Sequence, residues 1–214
     1  MNKTQLAKSF DECLALQASF NSVVNTDWRK ANYAWRRAMW IEAGELCDHL
    51  GYKWWKNVSA PYDARQVLLE VVDIFHFLLS DVLVENKAGG AQLVNSYEWA
   101  TKHVYAPTKE KKLQQVEEFV VLALEKHPIQ AAFFQVVVAL DININDLLKY
   151  YLGKNALNKF RQDNGYKTGE YRKQWNYAGE TVEDNVVLER ILDAVDTVPS
   201  FDTIYADLKA IYGS

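Results

Sequence analysis

Two acidic pairs, Glu42-x-x-Glu45 and Glu70-x-x-Asp73, have the clearest capacity for chemistry in this sequence. On a helix, positions i and i+3 share a face, so each pair would project two carboxylates in one direction. Unpaired carboxylates in apolar surroundings are costly, so a positive charge must accompany them. Oxygen-rich, imidazole-poor sets suit hard cations such as Mg2+. The ordinary alternative is pairing with Arg36, Arg37 or Arg65, or exposure on a solvated face. A di-iron bundle would need two Glu-x-x-His motifs. Only Asp73-x-x-His76 approaches that pattern, and Glu45 and His49 have the wrong spacing, so His76 reads as a core or pocket residue.

The acids need helices to position them, and the sequence supplies them. With four prolines, nine glycines and few alternating apolar runs, the chain reads as nearly all helix. A first helix over 4–24 places Leu6, Phe10, Cys13, Gln17, Phe20 and Val24 on one stripe, with Asn21 a turn beyond the polar Gln17. A second, over 31–50, continues its Trp35, Ala38 and Met39 stripe into Glu42 and Glu45, and Gly51 stops it. A third, over 64–84, is apolar all round and holds Glu70 and Asp73, which marks the centre of a bundle. The short connection over 51–63 makes the second and third helices antiparallel neighbours, so the four carboxylates can converge. Residues 86–107 read as a loop with a short helix, opened by Ala88, Gly89 and Gly90 and closed by Pro107. Further helices are expected over 108–126, 128–140, 145–163, 182–195 and 200–212, with a basic, aromatic loop over 165–181.

Composition narrows the function. A length of 214 residues with 49% hydrophobic residues fits one domain with a sizeable core. Seven Trp, twelve Tyr and nine Phe favour either a thick core or a pocket for flat ligands. The net charge of -4 argues against a nucleic-acid polymer as partner. Yet seven basic residues fall between Lys149 and Lys173, against only Asp163 and Glu170, which suits a small polyanion. Cys13 and Cys47 form no metal or redox motif by spacing, which fits a reducing cytoplasm. No secretory signal is read at the start, and the apolar run over 67–84 carries too many ionisable groups for a membrane span.

With both acidic pairs in view, the sequence resembles the dimeric, all-α dUTPase family, related to phage dCTPase-dUTPases and the wider all-α nucleoside-triphosphate pyrophosphohydrolases. Glu42, Glu45, Glu70 and Asp73 match its Glu-x-x-Glu, spacer, Glu-x-x-Asp pattern. The run 153–171, followed by Lys173, Trp175 and Glu183-Asp184-Asn185, looks like its C-terminal signature. Gln17, Asn21, Asn25 and Trp28 are similar to its base-reading segment, and Lys53-Trp54-Trp55-Lys56 to the stretch after its first acidic pair. Residues 86–140 carry no matching motif.

The resemblance implies a single all-α domain over 1–214, a helical bundle with a central buried helix, acting as a homodimer. It implies two or more Mg2+ ions on the four acids and a metal-activated water attacking the β-phosphorus of dUTP or dUDP to give dUMP. Glu42 is the candidate base, with Glu45 close behind. Lys154, Arg161, Tyr166, Lys167 and Lys173 would handle phosphates, Asn158 the deoxyribose, and Gln17 and Asn21 the uracil edge, walled by Trp55 and Phe77 beside Lys56. Independently, Tyr151, Lys154, Asn158 and Arg161 form one stripe on the 145–163 helix, which is equally an ordinary solvated face, and Asp184 is equally a helix cap. The rivals are a dCTPase or broader dNTP pyrophosphatase, and a non-catalytic helical scaffold.

Overall fold

In a computed structural model, residues 1–56, 62–85, 88–106 and 108–213 are described. Part of the 51–63 connection and Pro107 therefore lie outside the described residues. Among these, the order is α1 (Lys3–Val24), α2 (Trp35–His49), α3 (Ala64–Glu85), α4 (Gly90–His103), α5 (Lys109–Leu124), α6 (Gln130–Ala139) and α7 (Ile144–Asp163). A two-stranded hairpin, β1 (Gln174–Tyr177) and β2 (Glu180–Glu183), leads into α8 (Asp184–Asp193) and α9 (Phe201–Tyr212).

The apolar α3 is the central helix, as its sequence requires: Val67, Val71, Val72, Ile74, Phe75, Leu78, Leu79 and Val82 are all buried. It packs against α1, α2, α6 and α7. Phe75 stacks on Phe133, and Phe10 and Phe134 complete an aromatic core cluster. A second cluster gathers Phe160, Tyr171, Trp175 and Tyr212 where α7 and α9 meet the hairpin. No single helix among the described residues is long and apolar enough to cross a membrane.

Three local expectations need correction. The second helix begins at Trp35 rather than near residue 31, because the preceding residues form turns in which Asn32 takes a left-handed φ of 52°. Residues 90–103 form a full helix rather than a loop with a short one. Of the Gly89-Gly90 pair, read as a break, Gly90 serves close packing: a Cβ on it would sit 2.0 Å from the Ala7 carbonyl oxygen of α1. The Gly90 amide also donates to Asp11 Oδ1 at 2.6 Å. Finally, the basic loop contains the antiparallel β1–β2 hairpin, and the last part of it is strand, so α8 starts at Asp184. Its turn residues Ala178 and Gly179 both have positive φ, 52° and 83°, as a two-residue primed turn demands. Asn or Asp is usual at the first of these positions, and Ala removes that signal from the sequence.

Candidate active site

The acidic end forms where α2 and α3 lie side by side. Carboxylate oxygens of Glu42, Glu45 and Glu70 lie within 4.8 Å of one another. Asp73 stands beside them but turns to Lys154 of α7, whose Nζ donates to Oδ2 at 2.5 Å. On the other side, His49 Nε2 lies 3.4 Å from Glu70 Oε1. Two of the arginines that could have neutralised these acids are engaged elsewhere, Arg36 with Asp81 and Arg65 with Asp193 and Glu189, and Arg37 is exposed. The consequence is electrostatic conflict. Burial, then the charge of Asp73, then that of Glu45, pushes Glu42 up to about 7. Glu70 is pushed up to about 7 by burial, then by Asp73 and Glu45. Mutual repulsion among acids held this close is relieved by protons or by an added cation.

The opposite end is a buried polar network whose partners set the orientation of its amides. Ser80 Oγ donates its only proton to the His76 carbonyl at 3.0 Å, so it can only accept from its other neighbours. Gln17 Nε2 and Asn21 Nδ2 both donate to it, at 3.1 and 3.0 Å. The second Gln17 N–H goes to Asn21 Oδ1 at 3.0 Å. Gln17 Oε1 must therefore face His76 Nδ1, 2.8 Å away, and the Tyr151 hydroxyl lies 3.1 Å from it and 2.9 Å from the Cys13 carbonyl, with one proton for the two. This fixes the proton of His76 on Nδ1, and its buried Nε2 has no partner among the described residues. Burial, with a contribution from Lys154, holds the imidazole near a pKa of about 3, so it is neutral. Gln17 has thus used both its N–H groups within the protein and turned its carbonyl to His76. Asn21 retains one N–H and one carbonyl lone pair.

One cavity of about 650 Å3 joins these ends. Of the residues expected from the sequence, Gln17, Asn21, Glu42, Asp73, Phe77, Asn158, Arg161 and Tyr166 line it together. Trp28, Tyr33 and Trp35 complete an aromatic wall whose rings meet edge to face at 5.2 to 6.4 Å. Glu45 and Glu70 join through Glu42, and Lys154 through Asp73. The α7 stripe of Tyr151, Lys154, Asn158 and Arg161 is an inward face rather than a solvated one.

Other expected residues stand apart. Trp55 is 57% exposed, its ring set against Tyr52 and Trp54, and Lys56 is exposed beside it. Lys167 caps the end of α1, donating to the carbonyls of Val23 and Val24. Lys173 lies over the ring of Tyr166, 5.8 Å from its centroid. Sequence reasoning missed Tyr33 and His49. Tyr33 sits in an irregular segment where periodicity carries no information. His49 follows Glu45 by one turn, a relation visible in the sequence but discounted there as a spacing unfit for a di-iron site.

The fold and the site define an all-α protein in which one cavity couples an aromatic and amide-lined end to an acidic end. The chain belongs to the dUTPase family, whose model matches residues 9–166. No curated protein matches the chain.

Proposed function

We propose that the protein hydrolyses dUTP, and dUDP, to dUMP with the help of Mg2+. One observation carries this reading: the cavity that holds Asn21 and the aromatic wall also opens on Glu42 and Asp73. Glu42, Glu45, Glu70 and Asp73 fit a hard divalent cation, since three of them converge without an arginine and two are held well above the usual carboxylate range. A bound ion would supply charge neutralisation for the phosphates and a more acidic water.

The chain's own residues would do the rest. The aromatic wall excludes water from the base, and Asn21 offers its free N–H and carbonyl lone pair to the edge of uracil. Gln17 and Ser80 hold that amide in place. Asn158 meets the sugar, and Lys154, released from Asp73 as phosphate enters, follows the phosphate chain. Glu42 is the preferred proton acceptor because, of the three converging glutamates, it is the one that lines the cavity. A homodimer is also proposed, supported by a groove in which the exposed Trp40, Val84 and Leu124 lie together. Light scattering at micromolar concentration should give twice the chain mass, and a monomer would contradict it.

The test is product release from a nucleotide panel. dUTP should yield dUMP and pyrophosphate, and dUDP should yield dUMP and phosphate, both faster than UTP or dTTP. Equal rates on dUTP and dCTP would replace this reading with a broader pyrimidine pyrophosphatase.

A further inference from the structure

The guanidinium of Arg161 lines the cavity, but its fork does not point at a ligand. Nε and Nη2 donate to the two carboxylate oxygens of Asp184, each at 2.8 Å. A further Nη2 contact reaches Asn185 Oδ1 at 3.2 Å, and Nη1 donates to Asn158 Oδ1 at 3.2 Å. Of its five N–H groups, these bonds leave one, on Nη1, for anything else. Asp184 is 1% exposed and also accepts from the Tyr171 hydroxyl at 2.7 Å. The pair is therefore rigid and fixes the position of a neighbour.

That neighbour is Asn158. Because a guanidinium only donates, the atom of Asn158 facing it must be the carbonyl oxygen. The amide is thereby presented to the cavity with its NH2 group, which can donate to a sugar oxygen but cannot accept from an added hydroxyl. We infer that Asp184 is a positioning residue for sugar discrimination: acting through Arg161, it holds the Asn158 carbonyl away from the ligand, so that a ribose 2′-hydroxyl finds no acceptor. The inference rests on the reading that Asn158 meets the sugar. Tyr171 and Asp184 both lie beyond the 9–166 stretch that the family model matches, Tyr171 just before the hairpin and Asp184 at the start of α8.

The experiment measures kcat/KM for dUTP and UTP in the wild type, Asp184→Asn, Asn158→Ala, the double variant and Tyr171→Phe, with circular dichroism and Tm recorded for each. Asp184→Asn sets an NH2 group against a guanidinium N–H and releases Arg161. The dUTP/UTP ratio should fall at least about fivefold, with the change carried by UTP, and adding Asp184→Asn to Asn158→Ala should change the ratio no further. Tyr171→Phe, which keeps the ion pair, should fold normally and lower the ratio in the same direction by a smaller factor, which tests the inference even if Asp184→Asn is unstable. A loss of activity equal for both nucleotides, or effects that multiply in the double variant, would overturn the inference while leaving the sugar reading intact. An unchanged ratio in Asn158→Ala would instead remove the sugar reading, and this inference with it.

Discussion

The two ends of the cavity contain similar numbers of polar side chains and treat them in opposite ways. At the base end, Gln17, Asn21, Ser80 and Tyr151 are knitted into hydrogen bonds with one another, and His76 is held neutral. At the acidic end, Glu42, Glu45 and Glu70 crowd together, Lys154 and His49 reach Asp73 and Glu70 among the described residues, and burial and mutual repulsion push Glu42 and Glu70 up to about 7. A satisfied network fixes a shape before the ligand arrives. An unsatisfied cluster marks where the ligand, or an ion, must bring something the fold lacks. Substitutions at the two ends should therefore move stability in opposite directions.

The largest effect is expected at the acidic end, on activity. Glu42→Gln, Glu45→Gln, Glu70→Gln and Asp73→Asn should each lower dUTP turnover by at least about a hundredfold, because each removes a charged ligand or base. Without divalent ion these variants should melt at or slightly above the wild-type temperature, since the amide keeps the shape and relieves repulsion. A steep fall in Tm for Glu42→Gln or Glu70→Gln would show those acids to be structural instead.

The base end should behave in reverse. Gln17→Leu strips Asn21 and His76 Nδ1 of partners in a buried setting, and should cost roughly 2–4 kcal/mol of stability. Chemical denaturation of the metal-free protein would reveal it, and a neutral result would mean that the network does not preorganise the pocket. A smaller difference should appear on adding Mg2+: the wild type should gain several degrees in Tm, and each acid variant less, because an ion that binds only the folded state stabilises it.

The smallest effect is a pH dependence of the metal-free protein. Glu42 and Glu70 hold their protons more tightly folded than unfolded, so their contribution is fully present below about 4.5 and is lost as pH rises to about 7. Raising pH across that window should lower Tm in the wild type, and Glu42→Gln or Glu70→Gln should flatten the slope.

Much of this contrast is legible in the sequence, for physical reasons. Acid pairs at i, i+3 share a helix face, which brings Glu42 and Glu70 together although Glu45 stays exposed, and Gln17 on an otherwise apolar stripe is buried as that stripe requires. The α7 stripe was equally compatible with a solvated face, because helical spacing gives an orientation relative to the helix and no information about what packs against it. Pairing was harder still. Nothing in local spacing says that Arg161 would spend its fork on Asp184, since that contact depends on a hairpin whose Ala178-Gly179 turn is poorly marked. Gly90 misleads for a related reason: a glycine needed for close helix packing looks, in sequence, like one that breaks a helix.

The central claim is that the acidic cluster, supplied with a divalent cation, cleaves a nucleotide held at the other end of the same cavity. The most direct measurement is pyrophosphate release from dUTP by protein stripped with EDTA and then titrated with Mg2+. The stripped protein should show no turnover, activity should recover as Mg2+ is restored, and Glu42→Gln and Glu70→Gln should not recover. Turnover that persists in EDTA, or near-normal activity in those variants, would contradict it.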